Sequence, residues 1–180
     1  MATVPSPRTW AVGEYVTAAR LNDVRDALNF KLTNYPHCHV YDGTGITMTN
    51  ATATLVTWDS EVYDNDTMHS TSTNTSRITF TTAGLYQVDC RLTVAGGTTF
   101  TTLDLMCRLN AAGASGGGTL VRTQPWETAA GLRTAQLSFA RAFSASDYIE
   151  FWLTQASGAN RSLSSANLGS MCQARWIATA

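Results

Sequence analysis

The run Arg77-Ile78-Thr79-Phe80-Thr81-Thr82-Ala83-Gly84-Leu85-Tyr86-Gln87-Val88-Asp89-Cys90-Arg91-Leu92-Thr93-Val94 decides the fold. Tyr86, Val88, Cys90, Leu92 and Val94 fall on every second position, with Gln87, Asp89, Arg91 and Thr93 between them. A period of two puts one set on each face of an extended chain, so this is a strand with one face buried and the other wet. Ala83-Gly84 interrupts the pattern just before it, and Arg77–Phe80 is a short apolar run upstream. The whole therefore reads strand, turn, strand. Leu103, Leu105, Cys107 and Leu109 repeat the alternation a little further on.

Outward from this run the same period predicts strands at Cys38–Tyr41, Thr54–Trp58, Leu120–Arg122, Leu132–Phe143, Tyr148–Gln155 and Met171–Ile177, beside Arg77–Phe80, Leu85–Val94 and Phe100–Leu109. Turn signals separate them at Asp42-Gly43, Asp64-Asn65, Gly96-Gly97, the tip Gly113–Gly118, and Ser157–Asn160. The glycine-rich tip opens no helix, so it reads as a flexible hairpin and not as a phosphate loop. Eight or nine strands without a helical period after residue 36 indicate a β-sandwich or jelly roll. Composition agrees: charged residues are only 14% of 180, and threonine and serine fill the difference. β-branched threonine suits a half-exposed pleated surface.

The front of the chain differs. Residues 1–9 form an arm that Pro5 and Pro7 keep extended. Thr17 is placed to cap a helix over residues 18–30, on which Leu21, Val24 and Leu28 make a narrow apolar stripe. Three turns are marginal alone in water, so this helix must dock on something. The expected division is an arm and anchoring helix, residues 1–35, and a head, residues 36–180.

Charge excludes several partners. Twelve basic residues stand against thirteen acidic ones, the arginines are scattered singly from Arg8 to Arg175, and Lys31 is the single lysine. Neither a nucleic-acid face nor a polybasic membrane patch is present. No apolar run approaches the roughly 18 residues of a membrane span, and residues 1–16 lack a signal-peptide pattern. Cys38, Cys90, Cys107 and Cys172 have no CxxC spacing. Reduced core thiols are the simplest expectation and folding in a cytosol follows, with a cross-strand disulfide, Cys90 with Cys107 among the possibilities, as the alternative.

Arg77 to Val88 resembles the central signature of the jelly-roll heads of complement's first component and tumour necrosis factor, and Asp147-Tyr148-Ile149-Glu150-Phe151-Trp152-Leu153 is similar to that family's penultimate strand. Trp58-Asp59-Ser60-Glu61-Val62-Tyr63-Asp64 with Met68-His69 resembles a bacteriophage branch. So does the opening: Pro7-Arg8-Thr9-Trp10, Gly13-Glu14, Val16-Thr17-Ala18, Leu21-Asn22, Arg25-Asp26-Ala27-Leu28-Asn29-Phe30 and Pro36-His37-Cys38. The resemblance implies an all-β, two-sheet antiparallel jelly roll of about ten strands behind a short arm and helix, assembling as a tight homotrimer. It further implies a structural part of a phage virion, a minor tail protein or a capsid decoration protein. Trp10, Leu21, Val24 and Leu28 would anchor it to other virion proteins. No collagen-like stalk precedes the head, and the last strand is expected to end on Trp176-Ile177 where the family has a glycine-containing ending.

Candidate sites are sparse. Tyr148 and Trp152 alternate with Ile149, Phe151 and Leu153, so they are expected on the outer surface, as a subunit interface or a ligand platform; Trp176 joins them as an interface candidate. His37 and His39 project from one strand face, a spacing found in zinc sites that draw further ligands from elsewhere, and are weak metal candidates; His69 is the remaining histidine. Asp59, Glu61, Asp64 and Asp66 make an acidic stretch that reads as turn-forming and lacks the spacing of an EF-hand. The Asn50, Asn65, Asn74 and Asn160 sequons read as chance matches. No nucleophile elbow exists, Cys38 points away from its flanking histidines, and Asp147 with Glu150 shows no cleft, so an enzyme is not expected and no cofactor is implied. The alternative function is a host-surface glycan- or receptor-binding adhesin, read by distal loops 64–76, 111–118 and 157–168.

Overall fold

The computed structural model describes residues 4–5, 9–95, 100–126 and 133–180. Pro7, Arg8, Gly96-Gly97 and Leu132 lie outside the described residues. Helix α1 (Ala18–Asn29) runs into a π-helical turn at Phe30–Asn34. After it come β1 (His37–Tyr41), β2 (Thr47–Met48), β3 (Thr54–Leu55), β4 (Ser60–Asp64), β5 (Ile78–Phe80) and β6 (Gly84–Val94). The second half is β7 (Thr102–Leu109), β8 (Thr119–Trp126), β9 (Arg133–Phe143), β10 (Asp147–Ala156), β11 (Arg161–Ser162) and β12 (Met171–Ala178).

Two antiparallel sheets face each other, ordered β4-β1-β12-β6-β9 and β3-β10-β7-β8, with β5 also paired to β10 and β2 paired to β11. Long β6 holds the first sheet together, pairing β9 along its whole length on one side and β12 from Leu85 to Arg91 on the other. Its alternating side chains do what the sequence predicts: Tyr86, Val88, Cys90, Leu92 and Val94 are buried between the sheets, and Ile149, Phe151 and Leu153 of β10 and Leu103, Leu105 and Cys107 of β7 meet them. Phe80 stacks on Phe143 at 3.7 Å and meets Tyr86 edge-on at 4.7 Å. The Tyr86 hydroxyl donates to Thr82 O at 2.6 Å, which gives the one polar atom of that ring a partner.

The turn at Ala83-Gly84 has a packing reason. A Cβ on Gly84 would sit 2.0 Å from Trp176 Nε1, and that indole nitrogen donates to Ala83 O at 3.3 Å. Trp176 in turn meets Phe30 edge-on at 5.0 Å. Glycine at 84, tryptophan at 176 and phenylalanine at 30 are thus one joint, and it seats the N-terminal segment on the head.

Three strands escaped the periodicity. Two of them, β2 and β11, have two residues each, too short to show a period. The third, β4, occupies the expected acidic stretch: it is the edge of its sheet, and Glu61, Val62 and Tyr63 are all exposed, so no alternation is visible. Conversely the expected strand Thr54–Trp58 pairs only at Thr54–Leu55. Beyond it Val56 N bonds Phe151 O and Trp58 N bonds Thr75 O, outside any ladder.

Candidate functional site

Strand direction assigns the two ends of the sandwich. The starts of β1, β6 and β10 and the finishes of β9 and β12 share one end, where His37 pairs Arg175, Gly84 pairs Phe143 and Leu85 pairs Ala178. Helix α1 and its π-helical turn enter there. β10 runs from that end to the other, nine steps of roughly 3.3 Å, about 30 Å. The expected distal loops therefore do not lie together. Asn65 N donates to His37 O and its Nδ2 to Tyr35 O, and Asn110 N donates to Tyr148 O, so residues 64–76 and 111–118 belong to the helix-bearing half. Only 157–168 lies at the far end, where Asn50 Oδ1 accepts from the backbones of Ser157 and Gly158.

The tip Gly113–Gly118 is fastened, contrary to the flexible hairpin expected. Gly113 N donates to Glu150 Oε2 at 2.9 Å, and Gly118, at φ +57°, packs so closely that a Cβ would lie 2.0 Å from Leu109 O. Glu150 is buried on the outer face of the second sheet. Its Oε1 also accepts from Ser76 Oγ at 2.9 Å and Arg77 Nε at 3.3 Å. One carboxylate thus ties the β4–β5 and β7–β8 connections across the same sheet face, and each of its bonds is charge-assisted. Asp147 is likewise engaged, accepting from Ser144 N and Asn110 Nδ2 at 2.9 Å each.

These covers change the expected interface residues. Trp152, on the same face as Glu150, is only 2% exposed and sits in register between Leu55 and Met106. Tyr148 is half-buried, with the Arg77 guanidinium 4.2 Å over its ring and its hydroxyl accepting from Ala112 N at 3.0 Å. Trp176 is buried in its joint with Phe30 and Gly84. Alternation gave Trp152 its correct face; the connections folded over that face could not be read from spacing. None of these three side chains is offered freely to a second subunit.

What the protomer does expose is apolar surface elsewhere. Thr17 Oγ1 accepts from Arg20 N at 3.4 Å and caps α1 as expected, yet the helix buries none of its residues. Leu21, Val24 and Leu28 are open to solvent and Leu32, four residues further on, extends the stripe at 72% exposure. Trp10 is also exposed, with Arg20 5.9 Å over its ring. Leu32 was legible as the i+4 continuation of Leu28, but it falls in the π-helical turn past the expected helix end. Val62 and Tyr63 are exposed on edge strand β4.

The face of the first sheet turned away from the core carries the histidines. His37 lies 4.6 Å from the Tyr35 ring and 4.9 Å from Tyr63, with Nδ1 2.8 Å from Tyr35 O. His39 is buried between Met171 Sδ and Gln173 Nε2, 3.3 Å from each. Burial, and then the Arg91 charge, hold its imidazole below the usual value. His69 is elsewhere, with Nδ1 2.7 Å from Glu61 Oε1 and Nε2 3.1 Å from Thr75 O. Among the described residues no three histidines, cysteines or carboxylates are grouped to hold a metal.

The acidic stretch serves the backbone. Asp64 accepts from the amides of Asp66, Met68 and His69, Asp66 from Thr81 and Thr82 hydroxyls, and Asp59 from Gly43 N and Ser60 Oγ. All four cysteines are free and buried. Cys90 lies opposite Cys172 in the β6–β12 ladder, whereas Cys107 belongs to the other sheet, so Cys90–Cys172 is the adjacent pair and Cys90–Cys107 is not. Burial pushes the Cys38, Cys107 and Cys172 thiols well up, which keeps them out of the reactive thiolate form.

One open cleft of about 410 Å³ lies where the π-helical turn meets the first sheet, lined by Lys31, Tyr35, Gln87, Arg175, Trp176 and Ile177.

No protein-family model and no curated protein matches the sequence. Solved structures do match in three dimensions. Eiger TNF from S. frugiperda superposes with a TM-score of 0.61 at 14% identity, over 82% of this chain and 95% of that one. Murine APRIL gives 0.60 at 12% identity, over 79% and 99%. The globular domain of zebrafish complement 1qA gives 0.55 at 12%, over 81% and 99%. The head is therefore a jelly roll of the tumour necrosis factor and complement type in its fold.

Proposed function

We propose that this chain is a structural protein of a bacteriophage virion: a homotrimeric jelly-roll appendage fixed to the particle by residues 1–35, as a minor tail or capsid decoration protein. The observation that carries the reading is the contrast between a fully packed head and a helix whose Leu21, Val24, Leu28 and Leu32 face solvent. A short helix of this kind is stable only when its stripe is covered. At about 25 cal/mol per Å², a few hundred Å² of apolar burial contributes several kcal/mol, and three copies acting together multiply the effect. The phage assignment rests on the resemblance of the opening segment, from Trp10 through Pro36-His37-Cys38, to phage appendage proteins. A second copy is the expected cover for Val62 and Tyr63, apolar residues on an exposed sheet edge. We infer a structural and not a catalytic role, because Asp147, Glu150 and the 59–66 carboxylates are committed to holding connections in place.

Gold-labelled antibody on purified particles tests the assignment. Gold over the head identifies a decoration protein, gold on the tail a tail component, and particles without label overturn the virion reading. Deleting residues 1–30 should abolish incorporation; normal occupancy would remove the anchor. Sedimentation equilibrium should return three times the 19.4 kDa chain mass, and a monomer would overturn the trimer. The adhesin alternative now rests on residues 157–168, because of the three expected loops that one alone lies away from the helix-bearing end. Glycan-array binding lost on exchanging that loop would favour it.

A further inference from the structure

The cleft beside the π-helical turn has a chemistry that neither the packing of the head nor the anchoring stripe uses. Its volume lies within the roughly 300–1,000 Å³ of ordinary small-ligand sites. Lys31 comes to it from the turn and Arg175 from β12. Lys31 is the single lysine of a chain whose net charge is -1, so two cations in one cleft are no by-product of general basicity. Among the described residues neither has a carboxylate within salt-bridge distance. Gln87 spends its amide hydrogens on Asp89 Oδ1 at 3.1 Å and Ser138 Oγ at 3.0 Å, which leaves its carbonyl oxygen as an acceptor. Ile177 and the edge of Trp176 supply an apolar wall, and Tyr35 adds a ring whose backbone is held by His37 and Asn65.

We propose that this cleft binds an acidic monosaccharide, a sugar acid of the uronic or sialic kind. Its carboxylate meets Lys31 and Arg175, whose planar fork suits a carboxylate. A ring hydroxyl donates to Gln87 Oε1, and the carbon-rich sugar face lies against Ile177 and Tyr35. An inorganic anion would satisfy the two cations and leave the wall and the acceptor unused. A neutral hexose would use the wall and leave both cations unpaired. Of these three ligands the sugar acid matches all three features of the lining, and the inference depends on neither the trimer nor the anchor.

Titration calorimetry and saturation-transfer NMR on the full chain at low salt test it, with D-glucuronate and N-acetylneuraminate as probes and D-glucose and sodium phosphate as comparisons. One of the sugar acids should bind at least tenfold more tightly than glucose or phosphate. Lys31→Gln and Arg175→Gln should each lower that affinity tenfold or more with unchanged Tm, since among the described residues neither side chain has an ionic partner. Ile177→Ser should weaken the sugar acid and leave phosphate unaffected. Equal binding of phosphate and sugar acid, unchanged affinity in both charge variants, or no binding of either acid at millimolar concentration would each overturn the proposal. Particle occupancy and sedimentation read the anchor and the trimer separately, so their failure and this one are distinguishable.

Discussion

The sandwich and the segment that precedes it obey opposite rules. In the sandwich, side chains as large as Trp58, Tyr86, Phe80 and Phe151 are fully buried, and the two sheets cover each other without help. In α1 no residue is buried, and the segment meets the head through Phe30 on Trp176, with Val4 and Tyr35 also packed against the core. A part that closes its own core needs no partner to fold. A part that leaves a leucine stripe in water has its stability assigned to something outside the protomer. The same amino-acid types therefore do different work on either side of residue 35, and substitutions should separate the two.

The largest effect is expected in the core. Phe80→Ala removes a ring that stacks on Phe143 and meets Tyr86, and should cost about 3–5 kcal/mol of unfolding free energy. Urea titration reads it directly; a loss below about 1 kcal/mol would mean that the two sheets do not share one cooperative core. Next comes the carboxylate that ties two connections to the outer face. Glu150→Ala leaves Ser76 Oγ and Gly113 N without their acceptor and should cost about 2–3 kcal/mol. Hydrogen exchange should speed up at residues 111–118 and 76–77 and stay unchanged at 157–160, about 23 Å from Glu150 by strand rise. Uniform acceleration would show that Glu150 stabilises the whole head and not that half of it.

These two positions also mark where sequence reading succeeds and where it stops. Phe80 and the alternating residues of β6 declare themselves, because a strand with one wet face writes its burial into a period of two. Cys90 against Cys172 was hidden, because register between strands far apart in sequence is set by topology and not by local pattern. Glu150 and Trp152 were placed on the correct strand face, yet the loops that cover that face are fixed by hydrogen bonds across 37 and 74 residues of chain. The cleft combines residues from the turn after α1, from β6 and from β12, so no window of sequence contains it. The apolar stripe was visible because a helix is a local object, and among the described residues nothing covers it.

A smaller effect is expected on the open face of the first sheet. The His39 imidazole titrates below its ordinary value of about 6.5 in the folded chain because it is buried and faces Arg91. The unfolded chain therefore binds a proton first as pH falls, so this group's contribution is intact above about pH 6.5 and is lost as pH drops toward the lower folded value. Tm should decline on going from pH 7 to pH 5, and His39→Gln should flatten that slope. An unchanged slope would show that His39 does not set the acid sensitivity.

The smallest effect on the head is the most informative about the segment before it. Leu21→Ser with Leu28→Ser changes two exposed side chains on a helix that buries nothing, so surface rules limit each change to about 0.5 kcal/mol in the isolated protein. Tm of the purified chain should stay within a degree or two. Incorporation into particles should fall sharply, because in the proposed trimeric appendage each leucine lost from the anchoring stripe removes apolar contact in every copy at once. If Tm instead falls as far as in Phe80→Ala, the stripe is covered within the assembly of this chain, by its own copies, and the helices are part of the trimer's core. Unchanged Tm with normal incorporation would leave the stripe without a role and move the anchor to Trp10 and the arm before it.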